Sequence, residues 1–378
     1  MDRGRRAHHD RKHGFVIPVL LFVLALAGGI SVWGITTLRN SAAPSIDGEG
    51  ATAPVRSGPF LLAYTIPDAD QANDLLVLRS LDRATPSTTI ASFPSFLSFH
   101  AHGSASPDGI HVAVLHVADS FGQTGTLSIV DLNAVSQVDA AKVFDLNSRI
   151  AWSGAGNRLA VIRTRSRDDV GRLSVDVIEV DSQTGAHLST TNFDAVLDAE
   201  PVGYAPGSDQ LYVAIVDQSG STLWSVAGGS RQRVASFSPG RTRDWSLSPD
   251  GTRLAFVDVF GPGDRSYAGS TFHFAGHTVS VSTASSVAGN ELGAAWRPGS
   301  SEPGFGGPGG SLQLTGPEKG AYLAPDSWSP DGTMLAVRVY GGGNDPAGSL
   351  QVVAGSYRIR LSEDPGASLL GWVGGPAR

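Results

Sequence analysis

WSLSPDGTRLAF at 245–256 and DSWSPDGTMLAV at 326–337 are two copies of one unit: a strand carrying an aromatic residue, a Ser-Pro-Asp-Gly turn, and a second strand opening on Leu-Ala. The turn chemistry is local. Pro presets φ at the first corner, Asp can bond the backbone two residues on, and Gly takes positive φ at no steric cost. Two apolar segments flanking so tight a turn read as an antiparallel hairpin. SASPDGIHVAVL at 104–115 is a third copy, AWSGAGNRLAVI at 151–162 and YAPGSDQLYV at 204–213 are degenerate ones, and AAWRPGSSEPGF at 294–305 is the most eroded.

The first residues of these turns stand at 106, 153, 205, 248, 297 and 329, at intervals of 47, 52, 43, 49 and 32. Most of these match the ~40–50 residues of one four-stranded propeller blade. Alternating runs at 125–132, 172–180, 221–227 and 348–355 read as third strands. The two ends complete the count. FLLAYTI at 60–66 matches a second strand with no first, and SLLGWVG at 368–374 a first strand with no second, so the two are expected to share a blade. Such closure removes an open edge that would invite pairing with other chains. The reading is all-β, a seven-bladed β-propeller over residues 59–378; a six-bladed ring, with the short sixth repeat as an insertion, stays open.

Composition agrees. The chain has 378 residues, with 47 Gly and 22 Pro punctuating a 41% hydrophobic sequence, the profile of many short strands. It has no Cys, which excludes disulfides, thiolate metal sites, cysteine nucleophiles and a lipidated N-terminal cysteine.

The SPDGTRLAF pattern resembles the WD-like repeats of the TolB-type β-propeller family, over roughly residues 58–378. The resemblance implies the fold and leaves function open, because such propellers include envelope proteins, modules of prolyl-oligopeptidase-type peptidases and proteins of no known role. The chain departs from the family's namesake in having no globular domain between its N-terminal segment and the repeats. A role in the Tol system is therefore not carried over.

Residues 14–37 run GFVIPVLLFVLALAGGISVWGITT without a charge, enough to cross a ~30 Å hydrocarbon layer as one helix. Five basic side chains against two acidic ones precede them in residues 1–13, and Arg39 stands almost alone after them. The positive-inside rule then places residues 1–13 in the cytoplasm and the propeller outside, on a bacterial cytoplasmic membrane. The competing reading is a cleaved signal, with sites ending at Ala43 or Ala53, each followed by proline. Residues 38–58 are small, polar and Pro/Gly-containing, and read as a linker. Past the tail the chain carries 23 basic and 33 acidic residues, which argues against nucleic acid as a partner.

No Gly-x-Ser-x-Gly elbow and no phosphate-binding loop occur, and the glycine-rich stretch 304–310 lacks the Lys and helix of a phosphate cradle and reads as a loop. No cofactor is expected. His100, His102 and His116 are weak metal candidates, the first two sharing a face by period-2 geometry and the third on the adjoining strand. Asp108, Asp250 and Asp331 occupy turn positions and read as structural, and Trp152, Trp245, Trp296, Trp328 and Trp372 recur at blade spacing as packing residues. Binding is expected on the face opposite the SPDG turns, whose loops are longer and more charged. Its candidate residues are Asp68, Asp70, Asp119, Arg165, Arg167, Asp168, Asp169, Arg241, Arg243, Asp264 and Arg265. The expected function is non-enzymatic: a cell-envelope propeller binding a protein, peptide or glycan through that face. The alternative is a lactonase- or lyase-like enzyme with its site in the central channel, and the channel lining distinguishes the two.

Overall fold

A computed structural model of the chain describes residues 60–81, 86–96, 99–118, 125–143, 148–237, 241–259, 267–275, 278–282, 291–315, 320–341 and 348–374. The expected tail, membrane-spanning segment and linker lie outside these residues, as do Asp119, Asp264 and Arg265. Every regular element among the described residues is a strand, and no helix there is long and apolar enough to cross a membrane.

The strands form seven sheets, six of four strands and one of two. Sheet 1 begins with β1 (Leu61–Pro67), β2 (Asn73–Ser80) and β3 (Thr88–Pro94). Sheet 2 runs β4 (His102–Ala105), β5 (His111–Val117), β6 (Gly125–Asp131) and β7 (Ser136–Val143). Sheet 3 runs β8 (Ala151–Trp152), β9 (Arg158–Arg167), β10 (Leu173–Asp181) and β11 (His187–Val196). Sheet 4 runs β12 (Asp198–Tyr204), β13 (Leu211–Asp217), β14 (Gly220–Ala227) and β15 (Ser230–Ser236). Sheet 5 runs β16 (Arg241–Leu247), β17 (Arg253–Val259), β18 (Tyr267–Ala275) and β19 (Thr278–Ser282). Sheet 6 has only β20 (Leu292–Trp296) and β21 (Pro303–Gly306); sheet 7 runs β22 (Tyr322–Trp328), β23 (Leu335–Tyr340), β24 (Ser349–Ala354) and β25 (Tyr357–Ser362). The last strand, β26 (Ser368–Val373), returns to sheet 1 and pairs antiparallel with β1, from Leu61↔Val373 to Thr65↔Ser368.

The glycine-rich stretch corrects one expectation. Part of it is β21, and a Cβ on Gly310 would stand 2.1 Å from the Gly306 carbonyl oxygen, so glycine serves close backbone packing there.

Each SPDG turn closes as its residues dictate. Gly109, Gly156, Gly251 and Gly332 take φ of 70°, 70°, 65° and 68°, and each donates its N–H to the carbonyl of the serine three residues back, at 2.7–2.9 Å. The serine hydroxyls of Ser248 and Ser329 donate to Asp250 and Asp331 at 2.6 Å, and the same hydroxyls accept the N–H of Arg253 and Met334 at 2.9 Å. Asp250 in turn accepts the N–H of Thr252 at 3.0 Å. The hydroxyl of Ser248 heads the bonds that hold its carboxyl below the usual carboxylate range.

The core is divided among the gaps between sheets. Seven apolar clusters each join consecutive sheets, and the cluster of Leu62, Tyr64, Met334, Leu350, Leu369 and Trp372 joins sheet 7 back to sheet 1. Strands buried on both faces explain why β5 and β13 read as nearly continuous apolar runs. Recurrent tryptophans fasten one sheet to the previous one: the indoles of Trp152, Trp296 and Trp372 donate to the carbonyls of Ser104, Ser246 and Ser327 at 3.1–3.2 Å. Trp245 instead stacks on Phe256, with ring centroids 4.3 Å apart.

Candidate functional site

The first strand of each sheet, β26, β4, β8, β12, β16, β20 and β22, lines the centre of the ring. Counting back from the SPDG-type turns, the residue at nearly the same depth is His102, Arg149, Glu200, Asp244, Gly293 and Asp326 in sheets 2 to 7. Bulges in β16, β20 and β22 fall at this level, leaving Asp244, Gly293 and Asp326 outside the regular ladder. Asp244 and Gly293 take φ of 55° and 67°. A bulge re-aims a side chain, and Asp tolerates the left-handed region better than most residues, though at a cost on the order of 1 kcal/mol or more.

Arg149, just before β8, joins three sheets. Its Nε lies 3.2 Å from Glu200 Oε1 on β12, its Nη2 3.3 Å from Asp244 Oδ1 on β16, and its Nη1 donates to the Trp245 carbonyl at 3.3 Å. The other oxygen of Asp244 accepts the Gly293 N–H at 3.0 Å and lies 3.3 Å from Arg243 Nε. The Arg149 side chain thus reaches past the inner strand of sheet 4 to that of sheet 5. Asp326 comes from sheet 7, where Ser327 donates to it at 2.7 Å. The rings of Tyr322 and Tyr340, on β22 and β23, stack with centroids 5.2 Å apart.

These groups are open to the channel yet walled by protein. The Arg149 side chain is 52% exposed and that of Glu200 18%. Removal from bulk water dominates the carboxyls: it pushes Glu200 up to about 7, against the pull of Arg149, and raises Asp326 as well. Glu200 in turn holds the Arg149 guanidinium above its ordinary value. The arrangement can exchange a proton near neutrality and offers both signs of charge to a ligand in one concavity.

Of the sequence-predicted loop residues that the structure describes, Arg243 alone belongs to this ring. Asp68 caps its own turn, accepting the Asn73 side chain at 3.2 Å and the Ala72 N–H at 3.0 Å, bonds that hold it below the usual carboxylate range. Asp168 does the same with Arg172, at 2.7 Å from its Nε, and is likewise depressed. Arg165 is bound to Asp176 and Asp194 within sheet 3, at 2.7 and 2.6 Å. Asp70, Arg167 and Asp169 are exposed, and Arg241 opens β16.

The three histidines are not brought together. His102 pairs in register with Leu115, so His116, the next residue along, points to the other face of the sheet. There it is buried, 2.7 Å from the Val117 carbonyl and 2.9 Å from Ser128 Oγ. His100 Nδ1 lies on Asp74, and His102 Nε2 is 3.3 Å from the Ser148 carbonyl. Among the described residues no group of three or more His, Asp or Glu is arranged to hold a metal.

Loop composition thus led away from Arg149, Glu200, Asp244 and Asp326. The signal that finds them is positional: in sheets 3, 4, 5 and 7 a charged residue stands three to five positions before the SPDG-type turn, in or beside a strand otherwise given to core residues.

No family model matches the chain, and no curated protein sequence matches it. Among solved structures, the β-propeller domain of the Trilobed protease from Pyrococcus furiosus, described as having an open velcro topology, is 12% identical, with a TM-score of 0.55 over 80% of this chain and 94% of that one. The acylaminoacyl peptidase of Pyrococcus horikoshii is 12% identical, with a TM-score of 0.52 over 80% of this chain and 50% of the peptidase. TolB from Acinetobacter baumannii is 15% identical, with a TM-score of 0.47 over 82% of this chain and 66% of TolB. The chain therefore spans about half the length of the peptidase and 66% of TolB. Identities this low speak to architecture, and on that ground the chain is a β-propeller, built from repeats that resemble the TolB type.

Proposed function

We propose that the protein is a seven-bladed binding propeller whose ligand site is the charged ring of its central channel, entered from the loop-rich face. One observation carries this reading: polar side chains from sheets 3, 4, 5 and 7 converge on one concavity around Arg149. The seven apolar clusters support counting the two-stranded sheet 6 as a blade. The ligand class remains that of an envelope protein, peptide or glycan, held at the end of the channel where the inner strands begin.

The test is a thermal-shift screen of the full-length protein against oligosaccharides, peptides and envelope extracts. A ligand at about 100 times its Kd adds about 2.7 kcal/mol. That stabilisation should vanish in Arg149→Ala and persist in a loop variant carrying Arg167→Ala and Asp169→Asn. The opposite pattern would move the site to the outer loops.

A second reading, an enzyme in the same channel, is favoured by Glu200, whose value of about 7 suits an acid or base at neutral pH. Turnover of any screened ligand that is lost in Glu200→Gln, with binding retained, would select it. We further propose that residues 14–37 anchor the propeller outside the cytoplasm. A reporter fused after Arg378 should then be active only outside, and a mature N-terminus at Pro44 or Pro54 would refute anchoring.

A further inference from the structure

We propose that His100 is a proton-operated latch on the strand that closes the ring: when the imidazole is charged it draws Asp74 of sheet 1 and the turn leading into β26 together, and when it is neutral β26 is held less tightly.

The geometry begins with a buried carboxylate. The Asp74 side chain, on β2, is fully buried; Oδ2 accepts the Ala101 N–H at 2.6 Å and Oδ1 lies 3.0 Å from His100 Nδ1. Thr65, on β1, donates its hydroxyl to the Ala101 carbonyl at 2.6 Å. Residues 100 and 101, which lead into β4, are therefore stapled to sheet 1.

The other edge of the ring rests on the turn before β26. A Cβ on Gly366 would stand 2.6 Å from His100 Cδ2 and Nε2, so that position admits the imidazole only as glycine. Asp364 builds this turn: its Oδ1 accepts the Gly366 N–H at 2.8 Å and its carbonyl accepts the Ala367 N–H at 3.1 Å. One imidazole thus touches sheet 1, the entry to sheet 2 and the approach to the closing strand.

The charges facing it are Asp74 from β2 and Asp364 from the turn. Arg338, on β23, donates to the Ala367 carbonyl on the far side of that turn. His116, on β5, also feels Asp74, but burial pushes its imidazole below the usual range. The Asp74 hydrogen bond raises His100 above the usual histidine range, outweighing its partial burial. The stabilisation is complete below the unfolded value of about 6.5 and is lost as pH rises through the higher folded value.

Hydrogen exchange on the full-length protein at pH 5.5 and pH 8, corrected for intrinsic rates, tests the latch. Protection of the β26 amides should be greater at pH 5.5 by about threefold or more beyond the ratio shown by the β13 amides of sheet 4, which carry only the pH dependence of Glu200 on the paired β12. His100→Gln keeps a donor for Asp74 but cannot titrate, and should bring the β26 ratio to that of β13. Asp364→Asn should reduce the ratio and serves if His100→Gln fails to fold. An unchanged ratio in either variant, or equal ratios for β26 and β13 in the wild-type protein, overturns the proposal.

Discussion

Deleting residues 366–378 removes the whole of β26 and with it the inner strand between β22 and β4. The side chains lost include Leu369, Leu370, Trp372 and Val373, exposed by only 8%, 3%, 8% and 1%. Truncating one buried Leu or Trp costs about 2–5 kcal/mol. Also lost are the ladder to β1, the Trp372 indole bond to Ser327 and the 3.1 Å bond from Gly374 N–H to the Gly109 carbonyl, which ties the closing strand to the first SPDG turn. Three large side chains alone sum to roughly 6–15 kcal/mol, against a net domain stability of about 5–15 kcal/mol. The truncated chain should therefore lack a cooperative melt and associate through the bared edge of β1, both readable by calorimetry and light scattering. Removing only Gly375–Arg378 should be nearly silent. A truncated chain that melts cooperatively within about 3 °C of the intact protein, equivalent to only one or two kcal/mol, would refute the claim that β26 carries the closure.

Other perturbations are graded. Trp372→Phe keeps most of the ring volume and loses the bond to Ser327, so it should cost about 1–2 kcal/mol by urea unfolding. Gly251→Ala should cost several times more than a surface substitution. Its φ is 65° and its Cβ would come within 2.0 Å of Pro206, so Tm should fall by about 5 °C or more while Thr252→Ala moves it little. Glu200 binds its proton more tightly folded, at about 7, than at the ordinary 4.5, so stability should decline as pH rises between these values. The full decline is roughly 3 kcal/mol at most, and Glu200→Gln should flatten that part of the Tm-against-pH curve. A variant curve with the wild-type slope would remove Glu200 as its cause.

Most of the architecture was legible because each repeat writes its own hairpin. Ser248, Asp250 and Gly251 make every bond of their turn with neighbours, so twelve residues specify the local structure without the rest of the chain. The closing strand was legible for a related reason: an unpaired first strand at one end and an unpaired second strand at the other have few places to go. The site was not, because its charges are scattered over sheets 3, 4, 5 and 7. Asp68 and Asp168 looked available in sequence, but short-range bonds to Asn73 and Arg172 consume them. Arg149 and Asp244 lie 95 positions apart and meet only when the ring closes. His102 and His116 stay apart by one residue of register, since sharing adjoining strands is not sharing a face.

The two ends of the inner strands carry different burdens. At the SPDG end, serine, aspartate and glycine satisfy one another and adjacent turns pack together, as the 2.5 Å approach a Cβ on Gly156 would make to Asp108 indicates. Four residues earlier in sheets 5 and 6, the ladder is interrupted, Asp244 adopts a backbone conformation unfavourable for most side chains, and a glycine replaces any side chain at the wall. Stability alone would favour a regular ladder with apolar residues, as in the second strands beside it. Ion pairs as open as these, with Arg149 half-exposed, return little stability for the carboxyl they help to hold out of bulk water. Their expense is better explained if the channel groups meet something that enters it, which is why Arg149→Ala should cost more in ligand affinity than in stability.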